Sequence, residues 1–251
     1  MIILVFFVAH WFLSLFAQTF FLHRYASHRA FTMSKPWERF FYLFSFFAQG
    51  SSYLSPRAYA IMHRMHHAFT DTDQDPHSPK QASNAFLLMW KTRKVYSDIY
   101  QERMDVESRF LKNVPDWRLV DRIGDAWIVR IAWVAFYLVF YILFATSPWL
   151  YILLPFQIVM GPLHGVIINW YAHKYGSVNY QMSNTSRNMS PLGLVMMGEN
   201  FHNNHHKYPS SINFGVKWYE IDPVYPIIRV FSWLRIVKVN PNSSKRVVTE
   251  F

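Results

Sequence analysis

The sequence predicts an all-α integral membrane protein: about three transmembrane helices, one interfacial helix and a cytosolic helical cap carrying a histidine-rich metal site. Three observations predict it. Charge-free apolar runs of bilayer length recur along the 251 residues. Only 16% of residues are charged, against about 25% in an ordinary soluble domain. Twelve histidines are present, and most are bunched at the ends of apolar segments. Mean hydropathy is +0.02, an average that hides this segregation, so the chain is read in segments.

Residues 1–22 contain no Asp, Glu, Lys or Arg. At 1.5 Å per residue they reach about 33 Å, enough for a hydrocarbon core of about 30 Å. A cleaved signal peptide would place its positive charges first, whereas here Arg24 and Arg29 follow the apolar run. Residues 131–173 are again free of charged side chains and are broken once, at Thr146-Ser147-Pro148. This predicts a hairpin that crosses twice, at about 127–145 and 149–172. Arg122, Arg130 and Lys174 flank its two ends, and the positive-inside bias puts both in the cytoplasm. The segment 38–56 ends in Gln-Gly-Ser-Ser-Tyr-Leu-Ser-Pro. It is too short and polar to be a good span and reads as interfacial, which keeps the histidines on either side of it on one membrane face.

The remaining parts, 57–126 and 174–251, are polar enough to form the aqueous cap, and the whole of 1–251 is expected to be a single membrane domain. A net charge of +10 would suit nucleic acid, but the basic residues flank apolar segments instead of forming an arm. Five basic residues face one acidic residue over 1–57, and seven face three over 207–251. Membrane orientation and an anionic head group explain this better. Cysteine is absent, which excludes disulfides, thiolate nucleophiles, cysteine-ligated zinc and iron–sulfur clusters.

The histidine clusters are His23-Arg-Tyr-Ala-Ser-His28, His63-Arg-Met-His66-His67 and His202-Asn-Asn-His205-His206, with His173 four residues after Asn169. At about 100° per residue, H-x-x-H-H places three imidazoles on one helix face, so each triplet can serve one centre. His23 and His28 lie about 140° apart in a regular helix, which suits two different metals or a helix ending between them. The repeated spacing predicts two metal ions. All-imidazole ligation suits iron, zinc or copper. Zinc hydrolases commonly use three protein ligands, so eight or nine histidines favour two redox-active iron ions. Isolated histidines are more often hydrogen-bonded core residues, which is the reading for His10, His77 and His164. Asp71, Asp73, Asp75 and Glu199 are candidates to accept ring N–H groups, although Asp71–Asp75 also reads as a solvated loop.

HRYASHR, HRMHHAFTDTDQDPHSP and GENFHNNHH resemble, in order and spacing, the three histidine boxes of the integral-membrane acyl-CoA (stearoyl-CoA type, Δ9) fatty-acid desaturases, and NWYAHKYG is similar to that family's fourth element. The resemblance spans about residues 8–215. It implies a non-haem diiron centre that uses O2 and two electrons to put a cis double bond into a saturated acyl chain. It implies His23, His28, His63, His66, His67, His173, His202, His205 and His206 as iron ligands, with Asn169 acting through water. It implies an acyl thioester, CoA first, as substrate. An additional helix usually precedes the box-bearing one in that family, and the given sequence starts at the latter. An Arg-Asp pair before the second box, which meets CoA in animal members, is here Ile61-Met62. That opens acyl carrier protein or a lipid-linked chain as alternatives. Arg57, Arg64, Lys91, Arg93 and Lys94 are the candidate cations for a phosphate head group.

A diiron hydroxylase of fatty acids or alkanes shares the same histidine logic. A metal transporter would need polar residues along a spanning path, where this chain has only His10 and His164. With no haem, flavin or iron–sulfur ligands, electrons must come from a separate donor of ferredoxin or cytochrome b5 type. The expected location is a cytoplasmic or endoplasmic reticulum membrane, in contact with the lipid bilayer and with no nucleic acid partner.

Overall fold

A computed structural model describes residues 1–189 and 193–243. The last residues of the expected cap, 244–251, with Lys245 and Arg246 of its basic excess, lie outside the described residues. The chain is mostly helical. Helix α1 (Ile2–Phe16) runs straight into a π-helical segment (Ala17–Ser27), giving one apolar helix of 26 residues that is longer than the predicted 1–22. A strand β1 (Phe31–Met33) follows, then helices α2 (Lys35–Gln49), α3 (Pro56–Phe69), α4 (Ala85–Tyr100), α5 (Ser108–Leu111), α6 (Arg118–Asp125), α7 (Trp127–Phe144), α8 (Leu153–Ile158) and α9 (Met160–Asn169). The last part holds α10 (His202–Lys207), α11 (Val224–Trp233) and β2 (Val237–Val239). Strands β1 and β2 pair antiparallel, Phe31 opposite Val239. This small sheet departs from the all-α expectation, and three residues per strand are too few to leave an alternation in the sequence.

Two helices among the described residues are long and apolar enough to cross a bilayer, Ile2–Ser27 and Trp127–Phe144. A third candidate is a pair, Pro148–Ile158 and Met160–His173, bent by 67°, where a straight crossing over 149–172 was expected. The cause is local. Pro162 has no N–H to give to the carbonyl of Ile158 four residues earlier. That carbonyl instead accepts the hydroxyls of Ser51 (2.8 Å) and Ser52 (2.9 Å). Non-helical backbone at membrane depth survives only when its polar groups find such partners. A side chain at Gly161 would meet Ser52 Cβ at 3.0 Å, so the close approach of the two segments needs glycine there.

Helix α2 is not long and apolar enough to be a span. It buries Phe41, Tyr42, Ser45, Ala48 and Gln49 and exposes Trp37, Phe40, Leu43 and Phe47 at spacings of three and four, the stripe of a helix lying along an apolar boundary. Its inner face meets Phe20, whose ring sits 4.7 Å from Phe41 and 4.9 Å from Phe31. This aromatic core fixes the π segment against the cap.

Candidate metal centre

The π segment brings the first cluster together. In a π-helix the hydrogen bond runs to the fifth residue, and here the His28 N–H donates to the His23 carbonyl (3.1 Å) while Ser27 Oγ donates to that of Leu22 (2.8 Å). Five residues therefore make little more than one turn, and the His23 and His28 rings meet edge to face with centroids 4.9 Å apart. The segment ends at Ser27, between the two histidines, as one of the expected alternatives had it, and both rings join one group.

The nine clustered histidines fall into two adjoining groups. His23, His28, His63, His67 and His205 form one, and His66, His173, His202 and His206 the other. Within each group one nitrogen per residue lies within 4.8 Å of all the others. Each H-x-x-H-H triplet is thus divided, where one centre per triplet was expected. On a helix, residues i and i+4 are about 40° apart while i+3 points about 60° to the other side. So α3 sends His63 and His67 to the five-histidine group and His66 to the other. Helix α10 does the reverse, sending His202 and His206 to the four-histidine group and His205 across.

Carboxylates fix the rings. Asp75, 2% exposed, accepts from His66 Nδ1 at 2.9 Å, and Glu199 accepts from His23 Nδ1 at 2.8 Å as well as from Thr19 Oγ1. His173 Nδ1 lies 3.1 Å from Thr185 Oγ1, which donates to Asp71 (2.8 Å). Asp71 and Asp75 are therefore structural partners of the site and not solvated loop charges; Asp73 alone is exposed. Burial alone would raise the Glu199 carboxyl, but His23, Arg24 and Thr19 together hold it below the usual range. Burial, and after it the charge of neighbouring imidazoles, holds His63, His66, His67, His202, His205 and His206 well below the ordinary histidine value.

This arrangement fits metal ions. With Nδ1–H fixed outward on His23 and His66, their Nε2 lone pairs face inward. His23 and His205 Nε2 are 2.9 Å apart, His28 and His63 2.8 Å, and His202 and His206 3.0 Å. Lone pairs this close repel unless a proton or a cation sits between them, and two cations satisfy all nine at once.

Other residues escaped the sequence reading. Asn203 and Asn204, between the box histidines, lock α10 in rotation: Asn203 Oδ1 accepts from the backbone of Asn179 and Tyr180, and Asn204 Nδ2 donates to Glu220 (2.8 Å). Arg24, fully buried, pairs with Asp222 at 2.6 Å. Asp222 also accepts the N–H groups of Phe214 and Val224 and abuts Gly198, whose φ of +90° suits glycine. His77 is buried as expected but packs 4.2 Å from the His66 ring and forms a compact triplet with His66 and Asp75. His164 is held by Gln18 (3.0 Å) and His10 packs on Tyr137, both as core residues.

A cavity of about 1210 Å³ adjoins the centre. His23, His63, His202 and Asn169 line it beside Met62, Met89, Ile131 and Val134. Of the cations proposed for a head group, Arg93 lines it. Arg57 pairs with Glu102 (3.1 Å), Lys91 donates to the Gln81 carbonyl, and Lys94 is exposed. Arg64 is away from the cavity, its guanidinium held by the carbonyls of Ala26, Ser27, Phe110 and Lys112.

The fatty acid desaturase family model matches residues 1–232. Delta-9 desaturase-like 5 protein of Arabidopsis thaliana is 32% identical over 230 residues, covering 86% of this chain and 69% of the plant protein. Delta-9 acyl-lipid desaturase 1 of the same plant is 30% identical over 229 residues, 89% of this chain and 71% of its own length. The sn-1 stearoyl-lipid 9-desaturase of Synechocystis is 30% identical over 220 residues, 86% and 64% respectively.

Proposed function

This chain belongs to the fatty acid desaturase family, and on that premise we propose that it introduces a cis Δ9 double bond into a saturated fatty acyl chain, using O2 and two electrons at a diiron centre. The observation that carries this is the pair of all-imidazole groups opening on an apolar cavity. The nine histidines are the proposed ligands. Asn169, lining the cavity four residues before His173, is the proposed holder of a water at the four-histidine group. Bound there, iron would supply the oxidising power that an unactivated C–H bond requires. The chain's own part is to hold the acyl carbons against His23, His63 and His202 and to exclude water. Met62, Met89, Ile131 and Val134 suit that task.

The carrier is CoA, as the stearoyl-CoA type would have it, acyl carrier protein, or a membrane lipid. Two features favour the lipid. The cavity rim carries Phe86, Trp90, Trp127, Ile131, Phe156 and Val159, all well exposed, as a mouth facing acyl chains would. Ile61 and Met62, both buried, stand where the CoA-binding pair would be. The relatives named above as acyl-lipid and stearoyl-lipid desaturases point the same way. We further propose one membrane domain with three crossings, the bent pair counting as one, and the metal centre on the cytoplasmic side. Protease added to sealed vesicles with exposed cytoplasmic faces should then cut within 91–125.

The test is expression in a host without its own desaturase, followed by fatty-acid analysis. Loss of two hydrogens from the chain is expected, and a gain of one oxygen would mean hydroxylation. A His66→Ala variant should leave lipids unchanged; a wild-type chain that also leaves them unchanged sinks the proposal. Labelled stearoyl-CoA offered in competition with stearoyl phospholipid separates the carriers.

A further inference from the structure

One turn in the expected aqueous cap is apolar at its tip and touches the first membrane helix. Gly193-Leu194-Val195-Met196-Met197-Gly198 leads directly into Glu199 and the third histidine cluster. Leu194 and Val195 are 59% and 55% exposed, whereas Met196 and Met197 are buried. Met196 lines the cavity, so the turn stands as a wall, with one side on the cavity and the other facing out.

The tip is tied to α1 well inside its apolar stretch. Trp11 Nε1 donates to the Val195 carbonyl at 3.0 Å. Phe16, whose ring is 6.0 Å from that of Phe44, marks the level at which the boundary helix α2 meets α1. Trp11 comes five residues earlier, about 7 Å deeper at 1.5 Å per residue, within the roughly 5–10 Å to which interfacial elements sink their apolar faces. Val8 and Leu4, one and two turns before Trp11 on the same face, are exposed, so the outer side of the turn continues the lipid-facing stripe of α1. The backbone suits that depth. The carbonyls of Gly193, Leu194 and Met196 accept from the N–H groups of Gly198 (2.9 Å), Met197 (3.2 Å) and Glu199 (3.0 Å). With Trp11 on Val195, each of the four carbonyls has a protein partner and needs no water.

The base of the turn is fixed as well. A side chain at Gly193 would meet the Ile221 carbonyl at 1.9 Å, and one at Gly198 the Asp222 carboxylate at 2.4 Å, so residues 221 and 222 back the turn. Asp222 is in turn paired with Arg24 of the π segment, and Ile221, exposed, extends the apolar patch. We infer that the turn Gly193–Gly198, anchored through Trp11, dips into the bilayer and sets Leu194, Val195 and Ile221 against the upper acyl chains of the surrounding lipid. Lipid is the occupant because the patch is wholly apolar and continues the exposed side of a helix long and apolar enough to cross. Only that crossing is needed, not the chemistry at the histidines. The turn then separates the acyl chains of the bilayer from the cavity, and it hands its fixed position to Glu199, the next residue, which accepts from His23 Nδ1.

The chain has no cysteine, so a nitroxide can be placed on one residue at a time. Val195→Cys, Val8→Cys and Asp105→Cys, the last an exposed cap position, are each spin-labelled in the full chain and reconstituted into phosphatidylcholine vesicles. Relaxation of the label by oxygen, which concentrates among acyl chains, is compared with relaxation by a water-soluble nickel chelate. The label at 195 should behave like that at 8, responding more to oxygen than to the chelate, and the label at 105 should show the reverse. Leu194→Cys repeats the measurement one residue away, should Val195 be needed for folding. A label at 195 that behaves like that at 105 overturns the insertion. So does one shielded from both agents, which would put a second copy of this chain or another protein over the turn. A label at 8 that favours the chelate overturns the crossing and the insertion together. Trp11→Phe keeps an aromatic ring and removes the N–H; it should raise the chelate's effect at 195 by up to about fivefold, the population change that loss of one hydrogen bond produces, with the label at 105 unchanged. No change at 195 in that variant overturns the anchored turn.

Discussion

The two histidine groups are built from the same two triplets yet differ in what surrounds them. The five-histidine group draws His23 from the π segment and His28 from its C-cap, and among the described residues one carboxylate, Glu199, orients one of its rings. The four-histidine group has one imidazole fewer, two oriented rings through Asp75 and through Thr185 and Asp71, and Asn169 close by in sequence, lining the cavity. If each group held an iron ion, four imidazoles would leave more room for a further ligand than five. The difference teaches that one histidine group offers a more crowded candidate metal position and the other a more open one, and that the rings of the open one are the more firmly oriented.

The largest effect should come from removing a proposed ligand on each side. His66→Ala leaves three imidazoles in the smaller group, and His28→Ala leaves four in the larger. Metal analysis should find His66→Ala near one equivalent, with activity down at least about 100-fold, as even loss of a partner behind a ligand reaches that range. His28→Ala should keep more metal than His66→Ala. The reverse order would refute the contrast between a crowded and an open position.

Next in size is Asp75→Asn. An amide cannot be relied on to hold the His66 tautomer, and loss of such partners commonly costs 10–100-fold in affinity or activity. Titration with Fe2+ in the presence of a chelator should show one weakened site and one unchanged site. Glu199→Gln should weaken the other site instead. If either variant weakens both sites equally, the groups are not independently oriented.

How far this was legible in the sequence can be argued residue by residue. Spacings of three and four made the two H-x-x-H-H triplets readable because helix geometry is local, and charge-free runs made the apolar helices readable because bilayer length is fixed. The division of each triplet was not readable, since it depends on where α3 and α10 sit relative to each other. The π segment was hidden because nothing in Ala17–Ser27 distinguishes a fifth-residue hydrogen bond from a fourth-residue one. The bend at Val159 was half visible: Pro162 was in plain view, but the hydroxyls of Ser51 and Ser52 that make the bend tolerable come from more than 100 residues away. Asp71 and Asp75 looked like loop charges because alternation with Thr and Gln is what a solvated loop also shows. Only the fold turns them inward.

A smaller effect is expected at the π turn. Ser27 Oγ holds the Leu22 carbonyl at 2.8 Å in a buried setting. Ser27→Ala should lower stability by about 1 kcal/mol, the net worth of one such hydrogen bond, read as a shift in chemical or thermal unfolding. It should loosen the five-histidine group while leaving the other untouched.

The smallest and most discriminating change is Thr185→Val. Thr185 Oγ1 stands between His173 Nδ1 at 3.1 Å and Asp71 at 2.8 Å, so it passes the carboxylate's pull to the ring without a direct ion pair; His173 Nδ1 is 4.0 Å from Asp71 itself. Valine keeps the volume and removes the hydroxyl. Asp71 retains the Ser78 hydroxyl and the Thr185 backbone N–H, so the loop should hold its place and the loss should fall on His173 alone. Its Nδ1–H would be left buried with no acceptor, a cost of roughly 1–3 kcal/mol, part of which relaxation of the ring toward Asp71 would recover. Metal affinity at the four-histidine group should therefore drop by a few-fold to about tenfold, with the five-histidine group unchanged and Thr185→Ser restoring it. An equal loss at both groups would mean that Thr185 acts by packing, and the oriented character of the open position would then rest on Asp75 alone.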